Sequence, residues 1–213
     1  MLEAASSLES GDTECAGVMP CACQTRRVLL MTAVAGACLA IPPSARAQEG
    51  KPGSDLRPQK DDLLVFSDGP QSGQTIRPSD LKLGAPPIHA WPKDPKTSVI
   101  RSGTRLNEIL VLKLDPAELD DDTRARSADG IVAYSAICSH AGCPVTAWVK
   151  GENSDKNVLK CMCHNSEYDP RESAQVVFGP APRRLAALPM AVSGDTLNVA
   201  APFAGKVGVP QSG

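Results

Sequence analysis

The chain has 213 residues, a length that suits one folded domain with additional terminal segments. Its formal net charge of −2 argues against nucleic acid as a partner, because surfaces that bind nucleic acid are strongly basic. Aromatic residues make up only 3 %, whereas there are 19 prolines and 17 glycines. This mixture favours an all-β fold of short strands and many turns over long helices.

Residues 1–47 are predicted to be an N-terminal extension with a twin-arginine export signal. Thr25–Leu30 contains the paired arginines, the apolar run Val28–Ile41 follows, and Ala45–Ala47 has the small-x-small pattern that signal peptidase cuts. The run has 14 residues, short of the roughly 20 that a spanning helix needs. A cleaved signal and a periplasmic location, or one on the periplasmic face of the inner membrane, are therefore expected. A retained anchor and a translation start at Met19 stay open.

The segment that follows the signal is poor in regular patterns. Residues 48–62 are polar and rich in Lys, Pro and Gly, and are predicted to be a flexible linker. Residues 63–105 form the Pro/Gly-rich first part of the domain, with a short strand at Leu63–Phe66. Over residues 77–105 we expect surface loop with little regular structure. His89 lies in this loop without a companion His, so no second metal site is expected there.

Apolar runs bounded by turn residues predict the main domain at residues 106–205, and residues 206–213 are a tail. The predicted strands are Ile109–Leu112, Ile131–Ser135, Gln175–Phe178, Ala187–Val192 and Thr196–Val199. Gly194-Asp195, between the last two strands, is a hairpin signal. Glu118–Asp122 is predicted to be a solvated acidic turn.

Two short motifs contain two of the three histidines and four of the eight cysteines. The first is Cys138-Ser139-His140-Ala141-Gly142-Cys143, and the second, 17 residues later, is Cys161-Met162-Cys163-His164. Each supplies two Cys and one His and is short enough to be a loop tip. Two half-sites of the same kind predict one metal site that closes between two loops.

Two kinds of metal site use Cys and His together. A structural zinc ion takes four ligands, usually with Cys pairs two to four residues apart. Here Cys161 and Cys163 are separated by one residue and His164 follows directly, which is awkward for one small ion. A [2Fe–2S] cluster with two Cys on one iron and two His on the other uses four of the six side chains. The iron–sulfur cluster is favoured, with structural zinc as the alternative.

The two motifs resemble those of Rieske iron–sulfur proteins, whose usual pattern is C-x-H-x-G-C followed by C-x-C-H. The resemblance extends over residues 106–200 and implies antiparallel sheets with a small cluster-binding subdomain at residues 136–183. It also implies one [2Fe–2S] cluster per chain. The implied ligands are Cys138 and Cys161 on one iron and His140 and His164 on the other.

The resemblance gives roles to residues beside the ligands as well. Cys143 and Cys163 are expected to form a disulfide, which persists best in an oxidising compartment. Ser166 and Tyr168 stand where high-potential respiratory members donate hydrogen bonds to sulfur, which raise the potential by stabilising the more negative reduced state. Gly179-Pro180-Ala181-Pro182 resembles the proline loop that covers the cluster in the same proteins.

The implied function is electron transfer in a larger complex, not complete enzyme activity. The favoured complex is a respiratory quinol–cytochrome c reductase, with quinol and with cytochrome b and cytochrome c-type subunits as partners. The alternative is the small subunit of a periplasmic molybdenum oxidase of the arsenite-oxidase type, with a molybdopterin subunit as partner. Ile131–Ser135 and Gly142-Cys143-Pro144 resemble the latter family.

Three positions depart from the quinol-oxidising pattern. Ala141 stands where a Leu is usual, Met162 replaces a usual Pro, and Asn165 replaces a usual Gly. The ligands are unaffected, so the departures bear on the docking partner and not on the cluster.

A ring-hydroxylating oxygenase is disfavoured, since its second iron needs two further histidines and only one remains. An oxygenase ferredoxin is disfavoured because such proteins lack the extra Cys pair.

Overall fold

The computed structural model describes residues 51–209, which form two antiparallel β-sheets and one short α-helix. The strands are β1 (Leu63–Phe66), β2 (Ile88–Lys93), β3 (Ile109–Lys113), β4 (Ile131–Ser135), β5 (Ala147–Lys150), β6 (Asn157–Cys161), β7 (Ser166–Asp169), β8 (Gln175–Phe178), β9 (Met190–Ser193) and β10 (Thr196–Val199), and the helix α1 is Asp121–Arg126. The predicted all-β class is therefore confirmed. The predicted export signal lies outside the described residues.

The order of strands is β4-β3-β2-β1-β10-β9 in the larger sheet and β5-β6-β7-β8 in the smaller one. Successive side chains of β3 point to opposite faces of the larger sheet, so this strand divides the core in two. On one face Leu110 packs in the same cluster as Leu159 and Tyr168 of the smaller sheet. On the other face Ile109 packs in the cluster that includes Leu64. The smaller sheet lies within the predicted subdomain and rests on the larger sheet through the first of these cores.

Most of the predicted strands are confirmed. β1, β4, β8 and β10 have the predicted bounds, and β3 extends the predicted strand by one residue. The predicted hairpin is also present, because β9 and β10 pair across Gly194, whose φ of 61° a glycine adopts readily. The strand predicted at Ala187 begins only at Met190; Ala187 instead forms isolated bridges to Tyr134 and Ala204.

The prediction of surface loop from residue 77 onward is wrong for β2. This strand lies inside the larger sheet, paired with β1 on one side and β3 on the other. Its buried residues, Ala90 and Pro92, alternate with partly exposed His89, Trp91 and Lys93. A period of two was therefore present in the sequence, but the surrounding Pro and Gly concealed it.

The prediction of a solvated acidic turn at residues 118–122 is confirmed for exposure, because the four acidic side chains are exposed, but the segment leads into a helix and is not a simple turn. Asp120 caps α1, because its Oδ1 accepts a hydrogen bond from the Thr123 amide at 2.6 Å. Asp121 and Asp122 fill the first helical turn, where negative charge stabilises the helix dipole. Glu118 contacts Arg171 Nε through its Oε2 at 2.8 Å, and this guanidinium lowers the pKa of the Glu118 carboxyl. The acidic residues thus build a helix start and an ion pair.

Residues 51–62, the described part of the predicted linker, are held against the domain. Asn107 Nδ2 donates to Leu56 O at 2.8 Å, and Arg57 Nη1 donates to Leu106 O at 2.9 Å. Asp62 is 2 % exposed and accepts two hydrogen bonds from Arg101, at 2.6 and 3.0 Å. These are contacts that a flexible linker would lack.

Within residues 51–209, no helix has both the length and the apolar character needed to cross a membrane.

Arg101→Met should destabilise the domain strongly, because it leaves the buried Asp62 carboxylate without its counter-ion. Removing one partner of a buried ion pair costs about 3–5 kcal/mol in the free energy of unfolding. Urea denaturation followed by circular dichroism measures this loss. Arg77→Met is the control, since Arg77 and Asp195 are 63 % and 70 % exposed and such pairs contribute about 0–1 kcal/mol. Equal losses in the two variants would contradict the assigned role of Arg101.

Candidate metal centre

The two Cys/His motifs lie in two loops that meet at one end of the domain. The first motif follows β4 of the larger sheet, and the second connects β6 to β7 of the smaller sheet. Tyr168, on β7, contacts the first motif, because its hydroxyl lies 3.0 Å from Cys138 Sγ. The structure therefore brings the two predicted half-sites together.

The first loop is closed by its own backbone. The Cys138 amide donates to Cys143 O at 2.8 Å, and the Gly142 amide donates to Cys138 O at 3.0 Å. Gly142 has a φ of +70°, a conformation that explains the glycine at this position of the motif. Arg105 Nη2 donates to Gly142 O at 2.6 Å and fixes the loop from outside.

The second loop is the tip of the β6–β7 hairpin. Cys161 and Ser166 are the last paired residues, and Asn165 between them has a φ of 58°. Asn is among the few residues other than Gly that adopt this left-handed conformation readily. The replacement of a usual Gly by Asn165 therefore leaves the turn intact.

The predicted ligands differ in exposure. Cys138 and Cys161 are each 1 % exposed, whereas His140 is partly buried and His164 is exposed. The two imidazole rings are neighbours, with centroids 4.6 Å apart and planes at 83°. The donors are thus arranged with sulfur inside and imidazole outside.

The chemistry of this donor set fits a metal cluster. His140 Nδ1 is buried and has no hydrogen-bond partner among the described residues, which is costly for a nitrogen unless it binds another group. Burial raises the pKa of Cys161 to about 12, so a thiolate there needs a nearby cation. Iron would meet both requirements, because it accepts nitrogen and thiolate ligands together.

The remaining two cysteines lie beside the ligands. The Sγ atoms of Cys143, Cys161 and Cys163 are all within 4.8 Å of one another. This group of three sulfurs differs from the predicted ligand set, since it includes only one predicted ligand. All four motif cysteines are free thiols in the structure, so the disulfide between Cys143 and Cys163 stays a prediction that their proximity allows.

Tyr168 is placed to donate a hydrogen bond to a ligand sulfur. Its hydroxyl oxygen accepts from the Ser139 amide at 3.3 Å, which leaves the hydroxyl proton for Cys138 Sγ. A metal-bound cysteine is a thiolate and can only accept. Burial, together with the contact to Cys138, raises the pKa of Tyr168, so the phenol stays neutral and keeps its proton.

Ser166 and the proline loop pack against each other. The Ala181 amide donates to Ser166 Oγ at 3.2 Å, and the Ser166 side chain is fully buried. A Cβ at Gly179 would lie 2.6 Å from Ser166 Cα, so only glycine permits this close approach. The segment Gly179–Pro182 therefore lies directly on Asn165 and Ser166, just after the second motif, and the Ser166 hydroxyl keeps its own proton to donate.

Two residues of the site were missed from the sequence. Ser139 is buried and its Oγ donates to Arg183 O at 2.5 Å, which ties the first motif to the end of the proline loop. Arg105, described above, was not singled out either. A short polar residue between two ligands was a signal for Ser139, whereas nothing in the sequence links Arg105 to Gly142 across 37 residues.

The sequence and its motifs are similar to known proteins. The Rieske [2Fe-2S] domain family matches residues 104–189. A Streptomyces lividans protein named cytochrome bc1 complex Rieske iron-sulfur subunit is 31 % identical over 154 residues, which cover 68 % of this chain and 84 % of that protein. Its Streptomyces coelicolor namesake is 30 % identical over 184 residues, covering 80 % of this chain and 49 % of that protein. The chain thus spans about half the length of this second relative.

A third relative comes from a different respiratory system. A Haloferax mediterranei protein with the provisional name respiratory nitrate reductase subunit Rieske is 34 % identical over 149 residues. The match covers 68 % of this chain and 62 % of that protein.

The fold, the clustered Cys and His side chains and the likeness to known proteins agree on the class, which is an all-β iron–sulfur protein. The chain belongs to the family of Rieske [2Fe–2S] iron–sulfur proteins. Its cofactor is accordingly a [2Fe–2S] cluster.

Tyr168→Phe should lower the midpoint potential while leaving the cluster assembled. A hydrogen bond to a charged group contributes about 1.5–3 kcal/mol, and for one electron a tenfold change in equilibrium is about 59 mV. Because most of this hydrogen-bond free energy is lost from the reduced state, we expect the midpoint potential to fall by about 50–100 mV. Ser166→Ala should shift the potential in the same direction.

A redox titration followed by electron paramagnetic resonance measures both potentials. Tyr134→Phe is a matched control, since the Tyr134 hydroxyl is equally buried but donates to Pro170 O at 2.7 Å and not to sulfur. The tuning role would be refuted by potentials that stay unchanged in the Tyr168 and Ser166 variants, or by an equal shift in the control.

Proposed function

We propose that this chain is the electron-transfer subunit of a respiratory quinol–cytochrome c reductase of the cytochrome bc type. The proposal includes the ligands: Cys138 and Cys161 would hold one iron and His140 and His164 the other. When bound, the cluster supplies a one-electron acceptor and donor. The chain itself does no complete reaction, and its partners would be cytochrome b, a cytochrome c-type subunit and quinol.

The residues of the chain have separable roles in this proposal. The buried Cys138 and Cys161 keep water from the sulfur side of the site. Exposed His164 presents an imidazole at the surface, where a quinol hydroxyl or a partner protein can reach it. Neutral imidazole in place of two thiolates removes negative charge and so raises the potential.

The contact between Tyr168 and Cys138 is the observation that carries the proposal. A neutral phenol 3.0 Å from a ligand sulfur stabilises the reduced state, which an acceptor of quinol electrons requires. Ser166, whose Oγ accepts a hydrogen bond from the Ala181 amide, would donate a second hydrogen bond to sulfur in this proposal. The two Streptomyces relatives named as cytochrome bc1 complex subunits support the same assignment.

A molybdenum enzyme is the second candidate complex. The Haloferax relative, named for a respiratory nitrate reductase, supports it. So does Ala141, an exposed small residue on the first motif where quinol-oxidising members carry Leu. In that case the cluster site would relay electrons to or from a molybdopterin subunit, without contact to quinol.

Export by the twin-arginine route is part of the proposal, since that route accepts proteins that fold and acquire their cofactor before export. Arg26 and Arg27 would direct it, and the protein would function in the periplasm or at the periplasmic face of the inner membrane. Both complexes are compatible with this location.

Affinity purification of the native protein from membrane and periplasmic fractions distinguishes the two complexes. Recovery with cytochrome b and a cytochrome c-type subunit is the expected outcome. Recovery with a molybdopterin subunit and without cytochrome b would replace the leading assignment by the second one. Recovery only from the cytoplasm would contradict the proposed export.

Cys143 and Cys163 are proposed to form a disulfide that fastens the two loops over the cluster. Cys143→Ser and Cys163→Ser should each reduce cluster retention, while the fold beneath stays intact because neither side chain is fully buried. Visible absorption and circular dichroism measure the two effects. Mass analysis of alkylated native protein tests the bond itself: both thiols alkylated in an aerobic, cluster-loaded sample would disprove it.

A further inference from the structure

The end of the molecule that carries the motifs is positively charged. We define the cluster-end surface as the motif loops and the segments that touch them, namely residues 138–144, 162–165, 104–106, 179–184 and 205–209. Its charged side chains are all cationic: Arg105, Arg183, Arg184 and Lys206. Residues 51–209 as a whole contain 19 acidic and 19 basic side chains, so the positive charge is a local excess.

These cations are not neutralised within the described residues. Arg105 donates to Gly142 O and Arg183 to Gly208 O, and both acceptors are uncharged carbonyl groups. Eight other Lys and Arg side chains form ion pairs with carboxylates, whereas none on the cluster-end surface does. Glu108, the acidic residue nearest to Arg105 along the chain, instead contacts His89 at 2.8 Å. The positive charge is therefore available to a partner.

The cluster-end surface also contains exposed apolar side chains. Met162 is 59 % exposed and Val209 is 39 % exposed, values that are high for large apolar side chains. His164, two residues after Met162 in the second motif, is also exposed. An apolar centre with a polar or charged rim is the usual composition of a protein–protein interface. Because the cations are spread over several segments, a protein with a broad acidic surface is favoured as the binding partner over one small anion.

We propose that the cluster-end surface docks an electron-transfer protein that presents an acidic surface, with His164 and Met162 at the centre of the contact. The proposal rests on the proposed function, since a bound cluster is what makes this end useful for electron transfer. Charge of one sign around a redox site increases the rate at which a partner of opposite charge meets it in the correct orientation.

A pair of probes of opposite charge tests the proposal with the mature, cluster-loaded protein. The probes are a basic cytochrome c and the same cytochrome with its lysines succinylated, which makes it acidic. Stopped-flow absorption gives the rate of electron transfer from the reduced protein to each probe. Biolayer interferometry gives the binding of each probe to the immobilised protein, independently of electron transfer.

The acidic probe should bind and react faster at low ionic strength, and its rate should fall steeply when salt shortens the range of electrostatic attraction. Arg184→Glu and Lys206→Glu, which change exposed side chains, should each slow the acidic probe by about two- to fivefold. Lys82→Glu is the control with the same charge change. Lys82 is exposed beside Leu83, which bridges to Lys113 at the end of β3 remote from the motifs. The basic probe should show the opposite trends.

Failure of this proposal differs from failure of the proposed function. A protein without iron or a visible spectrum would contradict the cluster itself. The docking proposal alone would be overturned by a cluster-loaded protein that binds both probes equally. It would also be overturned if Lys82→Glu slowed electron transfer to the acidic probe as much as Arg184→Glu does. Co-sedimentation with phosphatidylglycerol vesicles, without binding of the acidic probe, would overturn it in favour of a membrane surface.

Discussion

The structure depends on two buried tyrosine hydroxyls that join the two sheets. Tyr168, on β7 of the smaller sheet, contacts Cys138 Sγ just beyond β4 of the larger sheet. Tyr134, on β4, donates to Pro170 O just beyond β7. The chain has only these two tyrosines, and each crosses from its own sheet to the other. Because a buried hydroxyl without a partner is costly, the two contacts favour one arrangement of the packed sheets, and the contact of Tyr168 positions Cys138 of the first motif.

This arrangement accounts for the inside-to-outside order of the site. The tyrosine contact holds Cys138 in the core between the sheets, while the loop tips project His140 and His164 beyond it. Sulfur is thereby kept from water, and hydrogen bonds to it retain their strength in a medium of low polarity. His164 and three of the neighbouring cations, Arg105, Arg184 and Lys206, are exposed. Under the proposed function, tuning of the potential and recognition of a partner would thus lie in different layers of one end of the molecule.

Local patterns in the sequence predicted the motifs and most strands, because spacing and apolar runs act over a few residues. Long-range pairing was not predictable in this way. β2 was missed because its alternation is surrounded by Pro and Gly, and only its neighbours in the sheet make it a strand. The contact of Arg105 with Gly142, and the ion pair that holds residue 62 to residue 101, join segments with no shared local signal. The proposed roles of Ser166 and Tyr168 came from resemblance to a family, and the structure supplies a geometric reason for that of Tyr168.

The most direct test of the account is the set of atoms bound to the metal. Protein produced with ¹⁵N-labelled histidine, reduced, and examined by pulsed electron paramagnetic resonance reports the nitrogens bound to the paramagnetic centre. The account predicts two histidine nitrogens coupled to the centre, two irons per chain, and loss of one coupling when the cluster is formed in His164→Cys. A protein with no nitrogen coupling, or with zinc in place of iron, would contradict the assignment of Cys138, Cys161, His140 and His164.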